Sequence, residues 1–285
     1  MTYDPLSFDL KLIKMKKSIL ALAVVLSAGL LQAQQNKGMV VYERTSQMQI
    51  RFPGMPGGAE ELMPKSRIDN FELLFGNNQS LWKAAEQEHD ETNEIVGGGD
   101  GGGTHIRMVV AGSNDVLFTN FDAGKKVEKR ELFDKTFIID DTISKLKWKM
   151  SGETKTILGY PCMKATATNI RKRMSMNMEN GKVERKEIED TANIVAWFTS
   201  SIPVAAGPAE YQGQLPGLIL EMDVKDGTQV FKAISINEKA DLAAIKEPSG
   251  KKRYTAEEFR KERDKMLEEM NRNNQGSGTR IIRMN

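Results

Sequence analysis

Three methionines, Met174, Met176 and Met178, occupy alternate positions in a segment whose composition predicts a β-strand. Alternate residues of a strand project from one face, so the three thioethers would lie side by side. Soft thioether ligands select Cu(I), and this spacing therefore indicates a candidate site for copper or another soft metal.

A two-residue turn at Asn180-Gly181 would fix the strand that faces these methionines, because both residues favour the positive φ of a type I′ turn. The resulting register pairs Met178 with Val183, Met176 with Arg185 and Met174 with Glu187. Because Arg185 and Glu187 are charged, we do not expect the methionines opposite them to lie deep in the core. The alternative interpretation is a half-exposed ribbon whose methionines shield an open sheet edge or contact a partner.

Histidine supplies a second possible kind of metal site, beside a glycine-rich run at 97–103. His89, Asp90 and Glu91 precede this run and His105 follows it, and all four are metal-ligand residue types. Glycine loses the most backbone freedom on ordering, so we expect the run to form a flexible loop. Because that loop would have to order before the two imidazoles could meet, the sequence disfavours a native metal site there.

Nucleophilic catalysis has few candidate residues in this chain. Cys162 is the only cysteine, so no intramolecular disulfide can form, and its position in an alternating run predicts a small buried residue. A catalytic pair would need Cys162 or a serine beside one of two histidines. The sequence also lacks the His-Glu-x-x-His spacing of zinc hydrolases and the phosphate-binding glycine motifs. We therefore expect a non-enzymatic protein without a cofactor, with an unrecognised envelope hydrolase as the alternative.

Alternation of apolar and polar residues predicts a protein built mostly of β-strands. Val40 and Tyr42 share the buried side of the first strand, predicted over 40–52. The other strand candidates are 71–75, 106–110, 116–121, 127–133, 146–150, 156–158, 163–177, 218–224 and 228–236. Turn residues at 112–115 predict a hairpin between two of these strands, and Asp226-Gly227 predicts another.

Tight turns join antiparallel neighbours, so most of the predicted strands should belong to an antiparallel sheet. Open twisted sheets rarely exceed about ten strands, and a sheet of roughly nine to eleven strands must curl or split. We expect a single curved sheet over residues 36–245, a half-barrel similar to lipoprotein-carrier folds. The alternative is a two-layer β-sandwich.

A charged segment at 250–274 departs from the strand pattern and predicts a C-terminal surface helix over 255–271. Thr255 can cap this helix, and Glu258 stands three residues later as its capping-box partner. Its thin apolar stripe comprises Phe259, Met266 and Met270. We expect the final residues, 275–285, to form a disordered tail.

The beginning of the chain has the pattern of a secretory signal, with basic Lys16-Lys17, an apolar run from Ile19 to Leu31, and small or polar residues around Ala33. We expect a signal peptide over 15–33, preceded by a non-native extension over 1–14. The apolar run is shorter than the about 20 residues that a membrane span needs. No cysteine follows the run directly, so the mature protein is expected to be periplasmic or secreted and not a lipoprotein.

Two ordered blocks carry a family resemblance. The first block comprises Trp148, Ile157, Gly159, Tyr160, Cys162, Lys164 and Ala165. The second runs from Trp197 to Glu221 and includes Gly207, Pro208, Gln214, Leu215, Pro216, Gly217, Leu218 and Ile219. Together they resemble the GLPGLI family of exported Bacteroidetes proteins, with Gln214 at the position of the first glycine in that name. The family has no agreed biochemical activity, so the resemblance implies export and does not imply a reaction.

Within the second block, Pro216-Gly217 predicts a type II turn with a positive φ at Gly217. The residues from Leu218 to Leu220 would then enter the sheet as a buried strand. The alternative is a ligand-contacting loop, because glycine lets the backbone approach another group closely. Large aromatic residues near the signature would line a concave apolar surface or belong to the core, and they are Trp148, Tyr160, Trp197 and Tyr211.

The charge balance narrows the class of partner. With 41 basic and 39 acidic residues the net charge is +2, which provides no field for nucleic acid. The sequence therefore predicts an exported envelope protein whose curved sheet binds an apolar ligand or an envelope partner. Soft-metal binding by the methionine strand and an envelope hydrolase activity are the alternatives.

Overall fold

The structure, a computed structural model, describes residues 35–47, 65–85, 94–97, 104–107, 114–179 and 182–274. Several predicted features lie outside these residues, namely the 1–14 extension, the signal peptide, the far end of the first strand, His89, the glycine run at 98–103, the Asn180-Gly181 turn and the C-terminal tail.

Fourteen strands and one long helix make up the described part of the chain. The strands are β1 (Gly38–Gln47), β2 (Ser66–Gly76), β3 (Gln79–Ala84), β4 (Glu94–Gly97), β5 (Thr104–Arg107), β6 (Val116–Asn120), β7 (Lys125–Leu132), β8 (Lys135–Thr142), β9 (Lys149–Ile157), β10 (Tyr160–Glu179), β11 (Lys182–Thr199), β12 (Leu218–Val224), β13 (Gln229–Asn237) and β14 (Arg253–Thr255). The helix is α1 (Ala256–Asn274), and short 3-10 turns lie at Ala209–Tyr211 and Leu242–Ala244.

Twelve of these strands form one open sheet in the order β14-β8-β7-β6-β3-β2-β1-β13-β12-β11-β10-β9. Its neighbours are antiparallel except for the short β14, which runs parallel to β8. β4 and β5 form a separate antiparallel pair. The prediction of a mostly β protein with one large antiparallel sheet is confirmed, and the sheet is not closed into a barrel.

Tight turns with positive φ join several neighbouring strands. The pairs Asn77-Asn78 and Phe133-Asp134 both have positive φ, as do Leu158 and Gly159. Such pairs are typical of type I′ turns, whose twist matches that of the flanking strands. The predicted hairpin at Asp226-Gly227 joins β12 to β13, although its loop spans 225–228 and is longer than the two residues expected.

The sequence-based assignment of strands differs from the structure in several places, and it includes no candidate for β3 or β8. The hairpin predicted between 106–110 and 116–121 is absent from the described residues, because β5 pairs with β4 and β6 pairs with β3 and β7. Turn residues mark a reversal of the chain but do not select the partner strand. The strand predicted at 146–150 begins only at Lys149, and residues 143–148 have no regular structure.

The main core lies on one face of the sheet, called the inner face here. Six residues that are register partners in neighbouring strands form a row across this face. They are Val40, Leu73, Trp82, Leu117, Glu128 and Ile139. Residues directly opposite each other in antiparallel strands project from the same face. Val40 and Leu73 are fully buried, as is Tyr42 two positions along β1. The opposite face has a smaller core of Leu74, Leu81, Phe118, Val127, Ile138 and Ile245.

Helix α1 begins with the capping box that the sequence predicts. The Thr255 N–H donates to Glu258 Oε2 at 2.8 Å, and the Glu258 N–H donates to Thr255 Oγ1 at 3.2 Å. Phe259 and Met266 are buried against Phe137 and Ile139 of β8, so these two residues of the apolar stripe pack on that end of the inner face. Within the described ranges, no helix has the length and apolar character needed to cross a membrane.

Candidate ligand-binding face

The connection from β11 to β12, residues 200–217, packs against the inner face and is called the signature segment. The backbone ties it to the start of β12, since the Leu218 N–H donates to Ile202 O and the Ile219 N–H to Ala206 O, both at 3.0 Å. Its buried side chains are Ile202, Val204, Ala206, Tyr211, Gln212 and Leu215. The chain therefore fills this part of the inner face with its own apolar side chains.

Buried polar groups attach the signature segment and β12 to the strands beneath. The Tyr42 hydroxyl donates to Ile219 O at 2.5 Å, and burial raises the pKa of that phenol. The fully buried Ser80 hydroxyl donates to Gln212 Oε1, and Gln212 Nε2 donates to Ala209 O at 3.2 Å. A buried polar group left unpaired is costly, so these bonds select one position of the segment.

Gln214 links the two blocks that the sequence analysis singled out. Its Oε1 accepts hydrogen bonds from the Leu146 backbone N–H at 3.0 Å and from Trp148 Nε1 at 3.3 Å. Its Nε2 donates to Ser144 O at 2.8 Å. One side chain thus satisfies three polar groups of the irregular stretch at 143–148.

Glycine is required in the signature segment for close approach. A Cβ on Gly217 would lie 2.2 Å from the Thr199 carbonyl oxygen, and one on Gly207 would lie 2.7 Å from Ile219 Cδ1. The positive φ predicted at Gly217 is wrong, because the segment places its left-handed glycine at Gly213 instead, with φ +73°. A type II turn at Pro216-Gly217 therefore does not explain the motif.

The other residues of the signature differ in burial. Pro208 precedes the 3-10 turn, and its carbonyl accepts the Tyr211 N–H at 3.1 Å. Pro216 is exposed, whereas Leu215 is buried. The first residues of β12, Leu218, Ile219 and Leu220, are buried in the main core.

A family model described as Protein of unknown function (Porph_ging) matches residues 148–221. The match starts at Trp148 and ends at Glu221, so it spans both blocks that Gln214 joins. The matched family is associated with Bacteroidetes.

None of the curated proteins compared with this sequence matches it. The chain is similar to the solved structure of PNGF-II in the C2 space group, with a TM-score of 0.46 and 16% identity. The similarity covers 81% of this chain and 32% of that chain, so this protein spans about a third of the length of PNGF-II.

Within the matched region, Trp197 lies among charged residues. Its register partners are Lys164 on one side and Glu221 on the other. Lys155 Nζ stands 4.3 Å from the ring centroid and also pairs with Glu221 at 2.8 Å. A cation over an aromatic face is attracted by the ring quadrupole. The half-buried ring is therefore engaged by the protein's own lysines, and like Trp148 and Tyr160 it packs against the core cluster that contains Tyr211.

Cys162 is fully buried. Its thiol donates to Tyr160 O at 3.4 Å, and burial raises the thiol pKa. Gly159, with φ +83°, completes the turn that precedes β10. A protonated, buried thiol is a poor nucleophile, so this cysteine has the environment of a core residue.

The predicted register of the methionine ribbon is confirmed. β10 and β11 pair Met174 with Glu187, Met176 with Arg185 and Met178 with Val183. The methionine side chains lie outside the described part of the chain, and copper binding stays a prediction. His105 belongs to β5, and its side chain is also outside that part. Among the side chains that are described, no group of three His, Cys, Asp or Glu residues is placed to hold a metal ion.

Sequence reasoning missed an aromatic cluster on the inner face. Phe71 stacks on Trp82 with ring centroids 4.9 Å apart, and Trp82 also contacts Tyr42 at 5.5 Å and Phe231 at 6.2 Å. Tyr42, Trp82 and Phe231 are buried, whereas Phe71 is only partly buried. The cluster joins β1, β2, β3 and β13, whose pairing depends on contacts distant in sequence.

Three partly exposed apolar residues extend from this cluster, and we call Phe71, Ala84 and Leu117 the inner strip. Phe71 and Ala84 are register partners, and Leu117 is opposite Trp82. In the sheet order, β2, β3 and β6 lie between β8, which α1 contacts, and β12, whose start the signature segment holds. The segment also reaches β3 at Ser80. In the sheet order the inner strip therefore lies between α1 and the start of β12, and its three residues are partly exposed.

Two arginines sharing one carboxylate adjoin the inner strip. Arg44 Nη2 lies 2.8 Å from Asp69 Oδ2, and Arg67 Nε lies 2.7 Å from Asp69 Oδ1. The Arg44 guanidinium also stands 4.5 Å from the centroid of the Phe71 ring. We call Arg44 and Arg67 the arginine pair. The alternation of side chains along β1 places Arg44 on the same side as Tyr42, as the sequence indicates. The β1–β2 register, which places Asp69 opposite Arg44, could not be predicted from the sequence.

Proposed function

We propose that this protein is an exported envelope protein of the GLPGLI family that binds an apolar ligand and does not act as an enzyme. Export rests on the signal-like pattern at 15–33, and the family name rests on the blocks within 148–221. The observation that carries the binding function is the inner strip, which continues a buried aromatic cluster as accessible apolar surface.

The inner strip suits a ligand because its supports are rigid. Phe71 is held by stacking on Trp82, and Leu117 is held opposite Trp82 by the β3–β6 ladder. Ligand sites are lined mainly by apolar and aromatic side chains with a few polar groups. Transfer of apolar surface out of water gives roughly 25 cal/mol per Å² buried, so even a small hydrocarbon body would gain affinity from such a strip.

Titration of the purified protein with a neutral hydrophobic dye, Nile red, tests this proposal. Leu117→Gln should weaken dye binding at least several-fold, because it places an amide in the strip. Ile68→Gln is the matched control, since Ile68 is 59% exposed and alternates with Asp69 and Phe71 on β2, on the opposite face. Native mass spectrometry of protein taken from its own host should show a retained ligand.

The proposal fails if the wild-type protein binds no dye and carries no ligand. An equal loss of dye binding in Leu117→Gln and Ile68→Gln would also contradict it, because the binding surface would then not be the inner strip.

A second candidate function is the docking of an envelope protein at the β9 end of the sheet. β9 is the last strand in the sheet order, and nearly all of its residues are exposed. Three apolar side chains are exposed at this end, Met150, Leu158 and Met163. Apolar residues grouped at one place on a surface mark interaction sites more often than scattered ones.

A pull-down from the native envelope tests the docking function. Met163→Lys should abolish capture of a specific partner, because the charge interrupts the apolar group. Ile234→Lys is the control, since Ile234 is similarly exposed but lies on β13. Retention of the same partner by the Met163→Lys protein would eliminate this candidate.

A further inference from the structure

The arginine pair has more positive charge than its single carboxylate balances. Both oxygens of Asp69 are engaged, one by each guanidinium. The side chains are partly withdrawn from water, with 26% exposure for Arg44, 34% for Arg67 and 16% for Asp69. Arginine is charged at any physiological pH, so the group of three carries a net charge of +1.

Nearby carboxylates on the same strands face away from the arginine pair. Glu43 and Glu72 occupy the alternate positions of β1 and β2, and alternate positions belong to opposite faces. Glu72 is paired with Lys83 at 3.2 Å. The excess charge of the arginine pair is therefore not neutralised by these two residues.

Donor capacity remains at the arginine pair. A guanidinium has five N–H donors in a fixed fork, and the Asp69 contact of Arg44 uses its Nη2. Arg44 Nε is buried and has no hydrogen-bond acceptor among the described residues. A second oxyanion would find both donors and charge here, since guanidinium forks match carboxylate and phosphate geometry.

The position of Arg44 connects this charge to the inner strip. Along β2, Phe71 stands between Asp69 and Leu73; Arg44 is opposite Asp69 and Trp82 is opposite Leu73. The Phe71 ring thus has Trp82 on one diagonal and the Arg44 guanidinium on the other. A molecule lying along the inner strip would meet cationic donors at its end.

We propose that the ligand of the inner strip is an amphipathic anion, whose oxyanion head is bound by Arg44 and Arg67 and whose apolar body contacts Phe71 and Leu117. This inference rests on the proposed binding function and specifies the chemistry of its ligand. A carboxylate head is the simplest member of this class.

Paired probes test the inference, namely 1-pyrenedodecanoic acid and its methyl ester, titrated into the full protein at pH 7.5. The ester is the more apolar molecule, so a purely apolar site would bind it at least as tightly as the acid. The arginine pair should instead make the acid bind at least tenfold more tightly. Millimolar acetate alone should not displace the acid, because the apolar body is also required.

Arg67→Gln should reduce the preference for the acid to less than about threefold while leaving ester binding unchanged. Lys83→Gln is the matched control, since Lys83 is similarly exposed at 33% but pairs with Glu72 on the opposite face. Asp69→Asn is a second variant with the opposite expected sign: it removes the competing carboxylate and should increase affinity for the acid.

Each outcome of these titrations is decisive. Equal affinities for acid and ester in the wild type would overturn the anionic head group while leaving the apolar-ligand function in place. Binding of neither probe would overturn both. If Arg67→Gln does not fold, the affinity of Asp69→Asn for the acid decides the test: an increase supports the anionic head group, and no increase overturns it.

Discussion

Gln214 accepts a hydrogen bond from the indole N–H of Trp148 at 3.3 Å, although the two residues lie 66 positions apart. Trp148 begins the region matched by the family model, and Gln214 lies in its last part. The contact gives the two sequence blocks a shared structural role, which is to hold the irregular stretch at 143–148 against the signature segment.

Replacement of Gln214 by alanine should lower the free energy of unfolding by about 1 to 3 kcal/mol. The variant leaves the Trp148 indole, the Leu146 N–H and Ser144 O without their partner, and a lost hydrogen bond costs about 0.5 to 1.5 kcal/mol net. Urea denaturation measures the loss. Near-UV circular dichroism should also change, because Trp148 loses its fixed orientation; an unaltered spectrum with full stability would contradict the linking role.

Gly217→Ala should destabilise the protein by about 1 to 3 kcal/mol, the usual range for overpacking a filled site. The added Cβ would lie 2.2 Å from the Thr199 carbonyl oxygen, so β11 and the signature segment would have to separate. Pro216→Ala is the neighbouring control. Pro216 is exposed, and its replacement should cost only about 0.4 to 1 kcal/mol through the unfolded chain. Thermal melts that rank the two variants in the reverse order would eliminate the close-approach explanation.

Alkaline pH should weaken the fold through two buried phenols. Burial raises the pKa of Tyr211 to about 12 and raises that of Tyr42 as well. In the unfolded chain a tyrosine ionises near pH about 10, so the unfolded state loses its protons first. The contribution of these phenols to the free energy of unfolding is therefore fully present below about pH 10. It decreases as the pH rises from there toward 12.

Urea melts between pH 8 and pH 11.5 should show this decrease for the wild type and a shallower one for Tyr211→Phe and Tyr42→Phe. Tyr42→Phe should in addition lose about 1 to 3 kcal/mol at pH 8, since Ile219 O is left without its donor. Parallel pH profiles for all three proteins would show that these phenols do not control alkaline stability.

Thr255→Ala should destabilise helix α1 by about 0.5 to 2 kcal/mol, the range observed for removal of an N-cap. The hydroxyl accepts the Glu258 N–H, and alanine cannot replace that bond. Because Phe259 and Met266 hold the helix on β8, we expect a lower unfolding midpoint with α1 still folded at neutral pH. Loss of helical circular dichroism before any change in the sheet signal would show that the cap controls docking as well.

Sequence patterns predicted the features that depend on neighbouring residues. The Thr255 and Glu258 capping box lies within one helical turn, and the register of the methionine ribbon was predicted from the adjacent residues Asn180-Gly181 alone. Burial of Cys162 likewise followed from alternation within one strand. In each case residues close together in the sequence determine the local structure that was predicted.

Features that depend on strand order could not be predicted. β1 pairs with β13, nearly 200 residues away, and this contact places Phe231 beside Trp82. The role of Gly217 also depends on a distant group, because it is the Thr199 carbonyl that leaves no room for a side chain. The arginine pair required the register of β1 against β2, which no short turn specifies.

The exposed end of the sheet at β9 has a consequence for self-association. Thr154 is opposite Met163 and Met150 is opposite Ala165, so residues 151–153 together face only Lys164. Gly152, with φ +77°, lies in this irregularity. A kinked edge offers no long, regular row of free amides and carbonyls, so a second copy cannot extend the hydrogen-bonded ladder there. At high concentration the protein should therefore resist growth into fibres through the β9 edge of its twelve-stranded sheet.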